Sequence, residues 1–255
     1  MTGLVIERRG GIAILTIDRP HAANALDAAA SHALDAAMTE AETDDGIGAV
    51  IVTATGDRAF CAGMDMKEAA KTGAGQGLVA DRGFGGITAR RRTKPLIAAV
   101  NGAAIAGGME IALACDFIFA ADHATFGLSE VKRGLFAFAG GIQRLARELP
   151  RATALPMILT GEPLGAARLH ALGLVTEVTG ADRLMPRTLE VTESMLRHSP
   201  AAIRHALALF DASRDMGHDL ALHFGAHFDR ATLQSADSAE GVAAFAQGRA
   251  ANFNS

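Results

Sequence analysis

Tryptophan and tyrosine are absent from this chain of 255 residues, and cysteine occurs only twice, at Cys61 and Cys115. Without tyrosine, a phenolic general acid is excluded. Two cysteines in apolar surroundings are typical of a reduced protein without a disulfide framework. An excess of positive charge is also missing, because the formal net charge is −4. The total charge therefore gives no electrostatic reason to expect a nucleic-acid partner.

Long apolar runs are missing as well. The most apolar stretch, residues 95–121, is interrupted by Asn101, Glu110 and Asp116, whereas a membrane-spanning helix needs about 20 mainly apolar residues in succession. Residues 1–9 lack the apolar core of a secretory signal. We therefore predict a cytoplasmic protein without a membrane partner.

Short apolar segments alternate with helical patterns in the first part of the chain. Gly10 and Gly11 separate two strand patterns in the manner of a hairpin, and Asp27 is positioned to cap a helix that continues to about Glu42. Buried strands are predicted at residues 49–54, 96–100, 116–121 and 174–178. This alternation predicts an α/β fold with a largely parallel sheet of ββα-like units.

The last part of the chain is predicted to be helical. From Leu184 onward the patterns are helical, and Ser199 and Pro200 fit the N-cap and first-turn positions of a further helix. No shift in composition marks a flexible linker. We predict a core in residues 1–195 and a packed helical appendage in residues 196–255.

Two segments between the predicted strands have an unusual composition. Residues 71–86 contain six glycines without a period, which predicts a mobile loop. Arg90, Arg91 and Arg92 follow this loop. Because the total charge is negative and no aromatic residues lie nearby, we interpret these arginines as a solvated helix face and not as a nucleic-acid patch.

Residues 94–116 contain a strand that leads through glycines into the start of a helix. Such a junction leaves backbone N–H groups unpaired, with the helix dipole behind them, and forms an anion site made of backbone. A second glycine turn of similar character occurs at residues 61–65. If the sheet brings the two turns together, the N–H groups of Met64 and Gly107 converge on one oxygen, as in an oxyanion hole. The alternative is that both are ordinary tight turns.

Two glutamates are candidates for acid–base chemistry. Glu110 lies in the first turn of an apolar helix, where a carboxylate is exposed, paired or functional, although it also fits a simple first-turn acid. Glu130 lies in a loop after a buried strand and, taken alone, is typical of a surface residue. If they face one cleft, the two carboxylates divide the roles of general base and general acid, because their environments and mutual repulsion separate their pKa values.

Other patterns are weaker. His223 and His227 have the i, i+4 spacing of two metal ligands, but no third ligand pattern accompanies them, so we favour a structural role and predict no metal site. The glycines of residues 73–86 do not complete a dinucleotide-binding motif after a strand. Neither cysteine has a histidine partner in the sequence pattern, which argues against a thiol nucleophile.

Several segments, in the same order, resemble the signature segments of the crotonase (enoyl-CoA hydratase/isomerase) superfamily over essentially the whole chain. They are Ile17-Asp-Arg-Pro20 with Asn24-Ala-Leu26, Ala59-Phe-Cys-Ala-Gly-Met-Asp-Met-Lys-Glu68, Lys94-Pro-Leu-Ile-Ala-Ala-Val-Asn-Gly102, Ala106-Gly-Gly-Met-Glu110, Phe126-Gly-Leu-Ser-Glu130, Leu159-Thr-Gly161 with Gly173-Leu-Val175, and Arg249-Ala-Ala-Asn-Phe253. The resemblance implies an α/β, crotonase-like spiral of ββα units with a C-terminal helical trimerisation region. It also implies a homotrimer, commonly stacked as a hexamer.

The same resemblance implies an acyl-CoA substrate and no separate cofactor, because coenzyme A enters as part of the substrate. The thioester carbonyl is expected to bind the N–H groups of Met64 and Gly107. Glu110 and Glu130 match the two catalytic glutamates of the hydratases. These matches imply hydration of a 2-enoyl-CoA to a 3-hydroxyacyl-CoA, with Glu110 as the water activator and Glu130 as the proton donor.

The resemblance also implies residues that bind the coenzyme A part of the substrate. Arg58 and Lys67 match positions near the CoA phosphates, and His21 and Ala22 match positions along the pantetheine or nucleotide. The adenine pocket matches residues 62–66, which include Ala62, Met64, Asp65 and Met66.

One departure from the hydratase pattern concerns the acyl pocket. Ala137 and Phe138 occupy positions where hydratases usually have Pro-Gly, and we expect the bulk of Phe138 to narrow the pocket. Two alternatives therefore stay open. One is an enoyl-CoA isomerase or a specialised dehydratase of a carnitinyl-type or aromatic acyl-CoA, and the other is a non-catalytic acyl-CoA-binding member of the family.

Overall fold

The computed structural model describes residues 2–73 and 75–253. Ala74, within the predicted loop 71–86, lies outside the described residues, as do Met1 of the predicted core and Asn254 and Ser255 of the predicted helical region. In the part that is described, the chain forms twelve strands and ten α-helices.

The strands are mostly short and belong to three sheets. They are β1 (Leu4–Arg9), β2 (Ile12–Ile17), β3 (Ala49–Ala54), β4 (Ala59–Cys61), β5 (Leu78–Val79), β6 (Gly83–Phe84), β7 (Leu96–Val100), β8 (Ala103–Ile105), β9 (Phe117–Ala121), β10 (Thr125–Gly127), β11 (Leu164–Gly165) and β12 (Glu177–Thr179).

The α-helices alternate with the strands along most of the chain, and the last four follow one another without a strand between them. They are α1 (Ala28–Thr43), α2 (Met66–Thr72), α3 (Gly107–Leu113), α4 (Gly141–Glu148), α5 (Arg151–Thr160), α6 (Ala166–Ala171), α7 (Leu184–Met195), α8 (Pro200–Ser213), α9 (His218–Leu233) and α10 (Ala236–Gln247). Three short 3₁₀ helices span Pro20–Ala22, Glu130–Arg133 and Ala181–Arg183.

A six-stranded sheet in the order β1-β2-β3-β7-β9-β12 forms the centre of the fold. All neighbouring strands from β2 to β12 run parallel, and only β1 is antiparallel to its neighbour, through the predicted hairpin. Every residue of β3 and β7 is buried, as expected for central strands of a parallel sheet with both faces covered. The predicted α/β fold with a largely parallel sheet is confirmed.

A second sheet, in the order β11-β10-β8-β4, brings the predicted site segments together. Strands β4, β8 and β10 are parallel, with Cys61 opposite Ala104 and Gly127 opposite Ile105. Parallel strands have their carboxyl ends at the same edge of a sheet. The residues that follow these three strands therefore emerge at one edge, which is where ligands bind in open α/β sheets.

Helix α1 begins as the sequence predicts. The side chain of Asp27 caps it by accepting a hydrogen bond of 2.8 Å from the Ala30 N–H. Arg19, whose side chain is 11% exposed, forms ion pairs with Asp27 and with Asp65, the residue that caps α2. The guanidinium of Arg19 therefore links the N-terminal ends of α1 and α2.

Three predictions about local structure are wrong, namely the loop at residues 71–86, the helix face at residues 90–92 and the strand at residues 174–178. Residues 71–86 are not a loop throughout, because β5 and β6 form a short antiparallel hairpin there and Phe84 is buried in the core. The arginine triplet is not a helix face, because Arg90 pairs with Asp35 and Arg92 with Asp116 in partly buried ion pairs.

The last predicted strand, 174–178, is displaced. Leu174 donates its N–H to the Leu169 carbonyl in the turn that ends α6, and Val175 is buried in the core. Strand β12 therefore begins only at Glu177. The apolar residues that suggested an earlier strand pack as a turn.

Burial changes between α7 and α8. Leu184 and Leu189 of α7 belong to the main hydrophobic core, whereas no residue of α8 is buried. Helices α8 to α10 instead expose large apolar side chains, which include Phe210, Leu220, Leu222, Leu233, Val242 and Phe245. The division into a core and a helical region at 195/196 stays a prediction that agrees with this change.

Among the described residues, no helix has both the length and the apolar character needed to cross a membrane. The cytoplasmic location stays a prediction.

Candidate active site

A cavity opens at the edge where β4, β8 and β10 end. Its volume is about 80 Å³. Seven of the predicted site residues contribute to its wall, namely Ala62, Met64, Met66, Gly107, Glu110, Glu130 and Phe138. The remaining wall is formed by Gly75, Gly77, Leu78, Phe84, Ala106, Arg133 and Leu135. The structure therefore brings both predicted glycine turns and both predicted glutamates to one cavity.

The backbone N–H of Met64 faces away from its neighbouring segment. Met64 forms a parallel bridge with Leu26 in which the Leu26 N–H binds the Gly63 carbonyl and the Asp65 N–H binds the Leu26 carbonyl, both within 2.9 Å. In this pattern the N–H of Met64 itself is not used. No acceptor for it is present in the described parts of the chain, so it is available at the cavity wall.

The N–H of Gly107 belongs to the first turn of α3, where helix N–H groups have no partner within the helix. The preceding residue, Ala106, has φ 54° and ψ −126°, which is unfavourable for a residue with a Cβ atom. The N–H of Ala106 donates to the Gly127 carbonyl at 2.8 Å. This strained turn directs the chain from β8 into α3 at the cavity.

The two glycine turns pack directly against each other. A Cβ atom on Gly108 would lie 1.9 Å from the Cys61 carbonyl oxygen, and one on Gly63 would lie 3.0 Å from the Gly107 nitrogen. Only glycine permits this approach. The close contact puts Met64 and Gly107 on adjoining segments at the cavity wall, as an oxyanion hole requires.

Glu110 is 3% exposed and its carboxylate is held by backbone. The N–H of Gly141, the first residue of α4, donates to Glu110 Oε1 at 2.9 Å. Burial raises the pKa of Glu110, whereas the N–H groups of Gly141 and Ala139 and the charge of Arg144 oppose that rise. These donors favour the ionised form of a carboxylate that would otherwise be neutralised by burial.

Glu130 begins the 3₁₀ helix Glu130–Arg133 and is only partly accessible. Its Oε2 is buried and has no hydrogen-bond partner in the described chain. Burial raises the pKa of Glu130 to about 7, and the negative charge of Glu110 contributes to the rise, while its own backbone N–H and Arg133 oppose it. Glu130 therefore holds a proton up to about neutral pH.

The two glutamates differ in a way that suits acid–base chemistry. Glu110 accepts backbone hydrogen bonds that favour the carboxylate, and Glu130 has an unpaired oxygen that favours the acid. Two titratable groups whose environments separate their pKa values are typical of a general base and a general acid.

Four of the predicted CoA-binding residues are not part of the cavity wall. Ala22 lies in the 3₁₀ helix Pro20–Ala22, Arg58 is exposed ahead of β4, and Lys67 is exposed in the first turn of α2. Asp65 caps α2 through hydrogen bonds from the Lys67 and Glu68 N–H groups. Burial raises the pKa of Asp65, but these hydrogen bonds and Arg19 lower it overall. Asp65 therefore has a structural role, and its contact with a ligand stays a prediction.

Several wall residues were not identified from the sequence. Phe84 comes from the segment predicted as a mobile loop, and Leu135 and Arg133 follow Glu130. A signal was available for Arg133, because side chains three residues apart eclipse on a 3₁₀ helix and so share a face. Using it required knowing that residues 130–133 form such a helix.

The two cysteines and the histidine pair His223 and His227 have surroundings typical of structural residues. Burial raises the pKa of both Cys61 and Cys115 to about 12, so both thiols stay protonated. His223 Nδ1 lies 2.8 Å from the Asp219 carbonyl, and the His227 ring contacts Phe228. In the described chain no group of three or more potential metal ligands is present.

Comparison with known proteins identifies the family. A family model described as enoyl-CoA hydratase/isomerase matches residues 7–255. A probable enoyl-CoA hydratase of Rhizobium meliloti (strain 1021) is 38% identical over 98% of this chain and 97% of its own length. A 2,3-dehydroadipyl-CoA hydratase of Escherichia coli (strain K12) is 36% identical over 99% of each chain.

The fold comparison agrees with the sequence comparison. The crystal structure of an enoyl-CoA hydratase from Mycobacterium tuberculosis H37Rv superposes with a TM-score of 0.94 at 39% identity, covering 99% of this chain and 98% of that chain. The crotonase-like fold expected from the sequence is confirmed. The chain therefore belongs to the enoyl-CoA hydratase/isomerase family.

Proposed function

We propose that the protein catalyses the reversible hydration of a 2-enoyl-CoA thioester to a 3-hydroxyacyl-CoA. The observation that carries this proposal is the pair Glu110 and Glu130, which line one cavity in different environments. A backbone N–H donor holds the Glu110 carboxylate, whereas Glu130 has an oxygen that is unpaired within the described chain and a pKa raised to about 7. Addition of water needs a base for the water and an acid for the α-carbon. Family membership supports the thioester as the reacting group.

The backbone N–H groups of Met64 and Gly107 are proposed to hold the thioester oxygen. When water adds to the β-carbon, negative charge moves through the conjugated system to this oxygen and an enolate forms. Donors that are already directed at the oxygen stabilise the enolate more than the ground state, and removing one such donor typically raises a barrier by about 3–4 kcal/mol.

Glu110 is proposed as the base that removes a proton from the attacking water. Its carboxylate is held by the Gly141 N–H, which fixes its position and supports its ionised form. Glu130, with its pKa raised to about 7 by burial, is proposed to deliver a proton to the α-carbon of the enolate. In the reverse direction the two residues exchange roles.

The nucleotide end of coenzyme A is proposed to lie outside the cavity, where its phosphates meet Arg58 and Lys67. Both side chains are exposed, and neither is part of the cavity wall. Ala22, Asp65 and Met66 are proposed to border the pantetheine and adenine. Because coenzyme A arrives covalently bound to the acyl group, the proposal needs no separate cofactor.

Phe138 supports a small acyl group. Its side chain is 42% exposed at the cavity wall and packs edge-on against Phe136, with the ring centroids 6.1 Å apart. A cavity of about 80 Å³ holds about six water-sized groups at about 10–15 Å³ each. We therefore propose a short acyl chain as the group that reacts.

The helical region 196–255 is proposed to form a homotrimer or a hexamer of two trimers. Leu233 and Phe245 are 74% and 89% exposed on α9 and α10, and apolar residues exposed to this extent are typical of an interface. Light scattering should report an oligomer for the wild type and a smaller species for Leu233→Asp or Phe245→Asp. Ile6→Asp, which alters an exposed apolar residue of β1, should leave the mass unchanged.

Incubation with crotonyl-CoA followed by mass spectrometry tests for hydration, and incubation with 3-butenoyl-CoA followed by the ultraviolet absorbance of the conjugated thioester tests for isomerisation. Hydration adds the mass of one water, whereas an isomerase leaves the mass of a 3-enoyl-CoA unchanged and moves its double bond into conjugation. A mass gain from crotonyl-CoA supports the proposal. Isomerisation without water addition, or binding without any conversion, would favour one of the two alternatives.

A further inference from the structure

Arg133 lies on the same face of a 3₁₀ helix as the proposed acid. The helix spans Glu130–Arg133, and side chains at i and i+3 eclipse in this conformation. Both residues contribute to the wall of the cavity. Arg133 therefore borders the cavity beside the proposed acid, and the residue is also exposed to solvent.

Within the described chain Arg133 makes no direct ion pair, although its charge acts on Glu130 and opposes the rise in the pKa of that residue. Its Nη1 lies 3.3 Å from Ser129 Oγ and 3.5 Å from the Ser129 carbonyl, which are neutral acceptors at the long end of hydrogen bonding. Among the described residues, no carboxylate forms an ion pair with it. The adjacent Lys132, by contrast, pairs with Glu162 at 2.7 Å. Most of the donors of the Arg133 guanidinium are therefore free for a ligand.

Arg133 also differs from the rest of the cavity wall. The three charged residues of the wall are Glu110, Glu130 and Arg133, so Arg133 alone among the described wall residues is basic. The two glutamates are assigned to the proposed hydration and the backbone N–H groups to the thioester oxygen. The same wall contains the apolar side chains of Leu78, Phe84, Leu135 and Phe138.

A planar guanidinium beside an apolar wall suits one kind of acyl group. The methylene groups of the ligand contact the apolar residues, and a terminal carboxylate accepts hydrogen bonds from the guanidinium, often two in parallel. The cavity of about 80 Å³ sets the length, because it limits the acyl chain to a few carbons between the thioester and its far end.

We propose that Arg133 determines specificity by binding a carboxylate at the far end of a short acyl chain, so that the preferred substrates are 2-enoyl-CoA thioesters of dicarboxylic acids. This inference rests on the proposed hydration site for the position of the thioester. Arg133 is proposed to bind the substrate and does not itself donate or accept the transferred proton.

The test compares two saturated, unreactive thioesters of equal length, hexanoyl-CoA and hexanedioyl-CoA, by isothermal titration calorimetry. Because Arg133 is partly solvated, the wild type should bind hexanedioyl-CoA about tenfold more tightly. Arg133→Met should remove or reverse this preference, and Arg133→Lys should retain part of it. Lys132→Met removes a positive charge from the neighbouring residue and should leave the ratio unchanged.

The ratio of the two affinities separates recognition from structure. If Arg133 merely positioned Glu130, Arg133→Met would weaken both ligands equally, and this result overturns the inference. Equal binding of both ligands by the wild type, or tighter binding of hexanoyl-CoA, also overturns it.

The unsaturated counterparts, 2-hexenoyl-CoA and 2-hexenedioyl-CoA, distinguish this inference from the proposed function. Faster hydration of the dicarboxylic substrate supports both. Hydration that favours 2-hexenoyl-CoA supports the proposed function and overturns the role of Arg133. Tighter binding of the dicarboxylic thioester without hydration of either substrate supports the role of Arg133 and overturns the proposed function.

Discussion

The N–H of Gly141 donates to Glu110 Oε1 over 2.9 Å and joins the first residue of α4 to the first turn of α3. A side chain at this contact would crowd the carboxylate, since a Cβ atom on residue 141 would lie 3.0 Å from Glu110 Cγ and 3.1 Å from its Oε1. The position of the proposed base therefore depends on the absence of a side chain on another helix.

Gly141→Ala should lower kcat for hydration by about tenfold. The added methyl group displaces the Glu110 carboxylate by a few tenths of an ångström, and misplacement by about 1 Å can reduce the rate by about 100-fold. Steady-state kinetics with a 2-enoyl-CoA measure the effect.

The matched control is Gly165→Ala at the start of α6. Gly165 has φ −74°, and a Cβ atom there would have no neighbour within 4 Å. The control should keep the wild-type kcat. If Gly141→Ala matched it, the Gly141–Glu110 contact would not position the base.

The rate of hydration should depend on pH on both sides of an optimum. Burial raises the pKa of Glu130 to about 7, so the proposed acid loses its proton and kcat/KM falls as the pH rises through this value. Burial also raises the pKa of Glu110, so the proposed base is neutralised at acidic pH above its ordinary range. A bell-shaped profile of kcat/KM is the expected result.

The stability of the folded protein reports the same ionisation independently. The pKa of Glu130 is raised from an ordinary value of 4.5 to about 7, so the native state binds more protons between these values. Its contribution is fully present below about 4.5 and is lost as the pH rises through about 7. Urea unfolding across this window should show a loss on the order of 1 kcal/mol, reduced by solvent screening. Glu130→Gln should not show this loss of stability. If the free energy of unfolding changed equally with pH in both proteins, the assigned pKa of Glu130 would be contradicted.

Ala106→Gly should stabilise the fold by about 1 kcal/mol. Ala106 has a positive φ of 54° with ψ −126°, a conformation that glycine adopts without the steric conflict of a Cβ atom. Thermal unfolding measures the change. Ala112→Gly, in the middle of α3, serves as the control and should destabilise by about 1 kcal/mol, because glycine is unfavourable in a helix interior. A loss of stability in both variants would show that Ala106 is not strained.

Arg19→Met should destabilise the protein by about 3 kcal/mol, because it leaves Asp27 and Asp65 without their buried partner. Chemical denaturation is the measurement. Arg8→Met removes an exposed ion pair with Asp44, in which the Arg8 side chain is 55% exposed, and should have little effect. Equal effects of the two substitutions would show that Arg19 does not join the helices.

The sheet was predictable because its determinants are local. Residues 49–54 and 96–100 are short apolar segments bounded by turn residues, and each forms a central buried strand. The cap of α1 was predictable for the same reason, since Asp27 and the N–H that it binds are three residues apart. Short-range patterns of this kind need no knowledge of the remaining fold.

The arrangement of the site was not predictable from local patterns. The meeting of the two glycine turns depends on the register that pairs Cys61 with Ala104, and the partner of Arg90, Asp35, is 55 residues away. The raised pKa of Glu130 likewise arises from burial by distant segments. The sequence indicated the candidate site residues by their positions and by the resemblance, whereas their environments depend on long-range packing.

Hydration of crotonyl-CoA by the wild type, Glu110→Gln and Glu130→Gln tests the two-carboxylate site most directly. Glutamine keeps the shape of the side chain and removes its acid–base function, so each substitution should lower kcat by about 10²–10⁴-fold. Binding of saturated butanoyl-CoA should persist in both variants, and Glu162→Gln, a surface carboxylate paired with Lys132, should keep wild-type activity. The two-carboxylate site would be contradicted if the wild type hydrated crotonyl-CoA and both glutamine variants did so at the wild-type rate.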